Sequence, residues 1–492
     1  MGVSLNPSTI LSGQGIDVST LVQQIISEQS GQLSVWQGQQ TTLATQDGLL
    51  EGLENNLTNL QTAVAALADP TGALTAQAAT SSNTAVLSAT AQSTAIPGTH
   101  QIEITSLATA GEVFTGPVAA GANASILASG QTTGDIQLQV GGAGGTTRDI
   151  AIAQGSNDTL TTLAAYINTQ STANNWGVAA SVVSDAGGSR LSLQSENSGS
   201  TAALAIANNS NTTLTFGAPL GGTNAALTID AVPFSSASNT VIGAIQGVTL
   251  SLASQSSDGP VQLTVGADTN QITAAVNNFI SAYNTVVSTI NSQYVVDPTG
   301  TIPAPPLESD ISLRSLQSSL LNDAGFAIGG NSGLVNLASM GINMNNDGTL
   351  TLGDTPLDPQ NPQNSGQTFA QVLAADPSAV VNFFQNSSAT GFANNFNADL
   401  TNLTAPTQGP LNVDLTQNEA EQADLTTTIN NFDNQITAET AQLTTQYDAV
   451  NASLQQYPLL LQEITETLGT LGSGTSSSGA LVSSGPTLTS GL

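Results

Sequence analysis

Cysteine is absent from this 492-residue chain, and so is lysine. Without cysteine no disulfide, thiolate–zinc site or thiol nucleophile can form. Without lysine the cations are Arg148, Arg190 and Arg314, beside a single histidine, His100. Sequence-independent nucleic-acid binding needs several cations to displace phosphate counterions, and attachment to anionic lipid needs a basic cluster. Neither is supplied, so no nucleic-acid partner is expected. One histidine without lysine leaves few general bases, and no G-x-S-x-G elbow occurs. Aromatic residues are 4% of the chain, too few for a ligand-stacking platform. No apolar run reaches the ~18 residues of a membrane span. No basic stretch precedes an apolar core near Met1, so a cleaved signal peptide is not expected. No enzyme activity, metal or cofactor is expected.

What is present is acid and small polar residues. Thirty-four Asp and Glu give a formal charge of -31, yet charged residues are only 8% of the chain. Ser, Thr, Asn and Gln must therefore dress the surface. Hydrophobic residues at 39% suffice for cores, and at ~150 residues per domain the length suits three or four domains. Both ends read as helices. Near the N-terminus Leu21, Val22, Ile25 and Ile26 form a stripe behind Asp17 or Ser19 as N-cap, with Gly31 ending that piece. Trp36, Leu43, Leu50, Leu57 and Val64 then recur every seven residues, with Leu53, Leu60 and Leu67 as the companion row. Gln39 and Gln46 interrupt that row, and Gly38, Gly48 and Gly52 each cost about 1 kcal/mol against Ala. A lone helix of this kind is marginal and needs a partner. The C-terminal region offers one: Ile429, Ile436, Leu443, Val450, Tyr457 and Ile464 repeat at seven, beside Leu425 and Phe432 and then Tyr447, Leu454, Leu461 and Leu468. Pro458 is expected to bend this helix near Tyr457. Neither end holds Lys or Arg, so apolar packing and Gln/Asn hydrogen bonds must set the register.

Between the ends, residues 73–265 carry short period-two runs such as Ile136/Leu138/Val140 and Val261/Leu263/Val265, the mark of half-buried strands. One helix interrupts them, with Asp158 as cap and Leu160, Leu163 and Ile167 on one face. Helical spacing returns from Ile272 to Ile290, a short helix carries Leu313, Leu316 and Leu320, and another carries Phe369, Val372 and Leu373. Asn343, Asn345, Asp347, Gly348 and Asp354 fall at EF-hand-like positions, but the flanking alternation reads as an Asp-Gly hairpin. His100 reads as a surface or packed side chain, and Arg148 and Arg190 as partners of nearby acids. The fold class is α+β, multidomain: an antiparallel helical coiled-coil stem from both termini with inserted mostly-β head domains. The expected division is a leg at 1–30, a stem at 31–82 with 266–468, an inner β head at 83–120 with 221–265, an outer β head with one helix at 121–220, and a flexible Gly/Ser tail at 469–492.

Several segments, in order, carry a likeness. They are Gly15-Ile16-Asp17-Val18 with the heptads that follow, Gly98-Thr-His-Gln-Ile-Glu-Ile104, Gly247-Val248-Thr249-Leu250, Tyr283-Asn284, Asp347-Gly348-Thr349-Leu350 and Val380-Val381-Asn382-Phe383-Phe384. The chain resembles the flagellar filament-capping family, also called flagellar hook-associated protein 2. The resemblance implies a ring-like homo-oligomer at the distal end of the flagellum that retains exported flagellin and promotes its folding and insertion. It implies contacts with hook–filament junction proteins and an export chaperone, and export through the flagellar type III apparatus. On that basis Leu21, Val22, Ile25 and Ile26 are the expected filament-contacting leg. The heptad residues from Leu43 to Leu67 and from Ile429 to Ile464 are the stem packing. The cation-free stem and the Gly/Ser-rich tail depart from the family pattern. An alternative is a secreted adhesin or carbohydrate-binding protein on a coiled-coil stalk. Copies carrying -31 each repel one another, so acid or salt is expected to favour assembly.

Overall fold

The computed structural model describes residues 17–353 and 368–472, apart from Ala143, Gly300, Ile302, Ser387 and Ala389. Helices α1 (Val18–Gln29) and α2 (Gly31–Ala68) come first. Strands β1 (Gln77–Ser81), β2 (Leu87–Ala91), β3 (Gly98–Ser106) and β4 (Ala110–Phe114) follow. Next come β5 (Thr133–Val140), β6 (Thr146–Ala153) and α3 (Leu160–Asn174). Then the chain forms β7 (Val178–Asp185), β8 (Gly188–Ser198), β9 (Leu204–Ser210), β10 (Ala225–Ile229) and β11 (Val232–Ser236). It continues as β12 (Thr240–Ile245), β13 (Val248–Leu252), β14 (Val261–Ala267), α4 (Thr269–Ser292) and α5 (Ile311–Ala324). The hairpin β15 (Ile342–Met344) and β16 (Leu350–Leu352) leads to α6 (Phe369–Ala375), α7 (Pro377–Phe384), α8 (Phe392–Leu403) and α9 (Pro410–Gly472).

The described residues fall into two compact units, those within 1–58, 288–319 and 401–492 in the first and those within 59–287 and 320–400 in the second. The first is the helical stem. The stretch expected to be stem (31–82 with 266–468) is thus shared between the units, and β1 pairs with β14 in a head sheet.

The second unit holds two β cores. Sheet β1-β14-β3-β10-β11 and sheet β12-β13-β2 enclose Leu87, Ile102, Leu227, Leu250 and Leu263. Alternation sets which side chains enter: along β14, Val261, Leu263 and Val265 are buried while Gln262 and Thr264 are exposed. Sheets β4-β8-β7 and β6-β5-β9 with α3 enclose the second core, around Val113, Ile136, Ile150, Leu163 and Leu191. The inner core stops at Ala108 and resumes at Ala225, and the outer one runs from Val113 to Leu214. β4 therefore belongs to the outer core, although it was expected in the inner head. Its pairing with β8 (Glu112 opposite Gln194) decides this, and alternation alone cannot reveal a pairing partner. The cap of α3 is Thr159, in a reciprocal box with Thr162, and not Asp158, whose carboxylate receives Ser125 Oγ and the Gly155 N–H.

The same unit has a helical core. Phe392 sits among Phe279, Phe383, Phe384 and Phe396 at centroid distances of 5.5–5.7 Å. Asn284 clamps the β15–β16 hairpin from α4, giving its amide to the Leu350 carbonyl at 2.7 Å and accepting the Leu350 N–H at 2.6 Å. Gly348 turns that hairpin at φ 82°, a conformation that a side chain disfavours. The Asp347 carboxylate is taken up by the N–H and hydroxyl of Thr349, and Asp354 lies outside the described residues.

Candidate functional site

The terminal segments of the stem run in opposite directions, and residues 288–319 join them in the same unit. Asn412 on α9 donates to Glu54 on α2 at 2.9 Å. Further along α9, Gln422 donates to Asp47. Gln40 donates to Thr426 at 2.8 Å, and Gln29, closing α1, donates to Glu439 at 3.0 Å. As α9 advances, its partners step back along α2 and α1, which fixes an antiparallel register. Amides bonded to carboxylate or hydroxyl oxygens set that register, as the lack of cations requires. Between these bonds Trp36 and Phe432 meet edge to face at 5.2 Å. Asp17 caps α1, accepting the Thr20 hydroxyl at 2.6 Å and its N–H at 3.1 Å, and these bonds hold its carboxyl below the usual range.

The heptad residues fall into three groups. Leu50, Leu53, Leu57 and Ile429 are buried in the stem, and Leu43, Phe432, Ile436, Leu443 and Leu454 are half-buried. Leu60, Val64 and Leu67 are also buried, but in the second unit. Val450, Tyr457, Leu461 and Ile464 do not pack in the stem; they are exposed, as are Leu459, Leu460 and Leu468. The Gln29–Glu439 bond puts Val18, where α1 begins, level with about residue 450. Beyond that level the described chain offers α9 no partner. The expected leg residues differ too. α1 packs on α9, with Leu21 and Val22 buried and Ile25 and Ile26 half-buried, so these side chains are already used within the chain.

Pro458 does not interrupt α9, which runs unbroken to Gly472 and so takes in the first residues of the expected tail; residues 473–492 lie outside the described ones. The ring removes one N–H donor, but this part of the helix is open to water, which can satisfy the carbonyl left without a partner.

His100 Nδ1 lies 2.7 Å from Asp230, whose carboxyl is held low first by the Gln101 N–H and then by His100. Arg190 stands 3.9 Å from Asp185. Arg148, expected to pair with an acid, has a buried Nε without a hydrogen-bond partner. Burial pushes the Asp323 carboxyl up to about 8, with Asp399 beside it adding to the effect. Sequence reasoning did not single out this acid pair or the phenylalanine cluster. The cluster left a signal, because Phe383, Phe384, Phe392 and Phe396 crowd one short stretch. Among the described residues no helix is long and apolar enough to cross a membrane, and no group of three or more His, Cys, Asp or Glu is placed to hold a metal.

Comparison with known proteins matches both ends of the chain. Residues 14–111 match the family described as flagellar hook-associated protein 2 N-terminus, and residues 222–458 match its C-terminus. The chain is 28% identical over 461 residues to the B-type flagellar hook-associated protein 2 of Pseudomonas aeruginosa, covering 88% of this chain and 92% of that protein. It is 28% identical over 291 residues to the lateral flagellar hook-associated protein 2 of Vibrio parahaemolyticus, covering 53% and 60%. The crystal structure of the D1-D2-D3 domains of the Escherichia coli flagellar cap protein superposes with a TM-score of 0.53 at 25% identity, covering 74% of this chain and 98% of that one. With a helical stem made from both ends, β-rich domains between them and these matches, the chain belongs to the flagellar hook-associated protein 2 family, the caps of the bacterial flagellar filament.

Proposed function

We propose that this chain caps the distal end of a flagellar filament, retains the flagellin that emerges there, and promotes its folding and insertion. In the same reading it leaves the cell without a cleaved signal peptide, and junction proteins and an export chaperone are further partners. The observation that carries the reading is the bare apolar row of α9. Val450, Tyr457, Leu461 and Ile464 continue the stem's heptad spacing past the point where the described chain covers it. A helix with an apolar stripe and no partner is suited to dock against helices of similar character. The filament contact thus falls to these residues more than to Leu21 and Val22. The work is binding and release, with no bond chemistry. A deletion strain tests it: flagellin should appear as monomers in the medium and filaments should be lost. Restoring the chain with Leu460→Asn, Leu461→Asn and Ile464→Asn, all at exposed positions, should restore its export but not the filaments. Normal filaments on the deletion strain would refute the reading.

A further inference from the structure

The stem carries a slot that its own side chains leave unfilled. Between α2 and α9 lies a groove of about 780 Å³, lined by residues of the first unit. Its α2 wall steps through Val35, Gly38 and Thr42, and its α9 wall through Glu421, Asp424 and Thr428. Both series advance by three and then four residues, which keeps to one face of a helix. The groove therefore runs along the helix axes for about 10 Å, the rise of seven residues. Two antiparallel helices leave such a furrow beside their seam, and a third helix fills it when a bundle forms. Bulk is missing at Gly38, where a built Cβ meets nothing within 4 Å. The apolar lining is Trp36, Leu43 and Leu425, each half-buried, and Val35, which is 54% exposed. Those side chains have surface left to lose to a partner.

Charge sets what that partner carries. Glu421 and Asp424 are exposed along one wall, and among the described residues neither carboxylate has a hydrogen-bond or ion-pair partner. A neutral or acidic helix laid in the groove would strip water from them without compensation. A helix with Lys or Arg beside its apolar stripe would pair them. Among the described helices of this chain none answers. The chain has no lysine, and Arg148 and Arg190 lie on strands β6 and β8. Arg314 lies on α5, whose apolar residues Leu313, Leu316 and Leu320 are already buried. A second copy therefore does not supply the occupant, which comes from another protein. We propose that the groove between α2 and α9 is a docking slot for a Lys/Arg-bearing amphipathic helix of a partner protein. The slot is distinct from the bare row at 450–464, and the proposal does not rest on the capping reading.

The test uses the full chain with Trp176→Phe, so that Trp36, on the groove, is the only tryptophan left. The probes are three synthetic peptides of about five helical turns with the same leucine stripe and Lys, Gln or Glu elsewhere. The lysine peptide should move Trp36 emission to shorter wavelength and bind at least about fivefold tighter than the glutamine peptide, and the glutamate peptide should not bind. Glu421→Gln with Asp424→Asn should weaken the lysine peptide about fivefold or more. Asp433→Asn with Asp448→Asn, an equal charge change at exposed positions of the same helix, should not. Gly38→Gln keeps the charge, fills the slot and should weaken binding at least about tenfold. Circular dichroism checks folding; if Gly38→Gln loses helix, Thr42→Gln on the same wall takes its place. Equal binding by the two acid-pair variants, unchanged binding to Gly38→Gln, or a Trp36 that does not respond would overturn the proposal. So would a Trp36 shift on concentrating the chain alone, which would make the occupant a second copy. None of these outcomes bears on the deletion strain, so the capping reading fails or stands separately.

Discussion

The stem and the second unit hold themselves together in different ways. Apart from Leu50, Leu53, Leu57 and Ile429, which are buried, the stem's seam residues Trp36, Leu43, Phe432, Ile436 and Leu443 stay half-buried, because a pair of helices leaves the outer flanks of those side chains in water. In the second unit Phe279, Phe383, Phe384, Phe392 and Phe396 are at most 1% exposed, covered on all sides. A dry core draws its specificity from shape, since interiors are packed like crystals. A wet seam without opposite charges must draw it from single polar bonds, each worth about 1 kcal/mol net. Gln422 to Asp47 and Asn412 to Glu54 are such bonds. The stem is therefore the part that can be loosened, or strengthened, in small steps.

The largest effect is expected from opening the dry core. Phe392 touches five other rings, stacking on Phe383 with an interplanar angle of 18° and meeting the others steeply. Phe392→Ala should cost about 3–5 kcal/mol, the range for a buried aromatic that leaves a cavity. Denaturant unfolding followed by circular dichroism would measure it. Trp36 in the stem should report little change in the folded baseline. A loss below about 1 kcal/mol would remove the contrast between the two regions.

A middle-sized effect depends on pH. Asp323 has its carboxyl raised to about 8 by burial and by Asp399, against a reference near 3.8. The folded state then holds a proton that the unfolded state gives up. The stability from that proton is fully present below about pH 4 and is lost as pH rises through about 8. Asp323→Asn should flatten this dependence and raise the melting temperature at pH 8 by about 2–4 °C, the shift that ~1 kcal/mol gives in a unit of this size. An unchanged slope between pH 5 and pH 8.5 in the variant would show that the pair does not hold the proton.

Much of the stem is legible in the sequence. Seven-residue spacing identified Leu50, Leu53, Leu57 and Ile429 as seam residues, and the missing cations predicted amide-borne register. Spacing, however, says that a residue faces something and not what it faces. Leu60, Val64 and Leu67 have the same period as Leu53 and are buried in another unit, while Leu461 and Ile464 share it and are exposed among the described residues. The heads were legible as strands but not as sheets. β4 alternates like its neighbours, and only its pairing with β8 assigns it to the outer core. The groove between α2 and α9 left one trace in the sequence, Gln39 at the head of a leucine row, while its second wall depends on which helices pair.

The smallest expected effect has the opposite sign and belongs to the stem. Gly48 lies inside α2, and a Cβ built there meets nothing within 4 Å. Its backbone is helical, so alanine needs no rearrangement there. Glycine in a helix costs up to about 1 kcal/mol against alanine, largely through the freedom it retains when unfolded. Gly48→Ala should therefore stabilise the stem by somewhat less than that amount. The change can be read locally, because the chain has only two tryptophans. With Trp176→Phe as background, Trp36 fluorescence follows the stem alone, and its unfolding midpoint should rise while the circular-dichroism transition of the second unit stays in place. If both transitions moved together, the stem and the aromatic-cored unit would unfold as one cooperative body, and the distinction between a wet seam and a dry core would carry no energetic meaning.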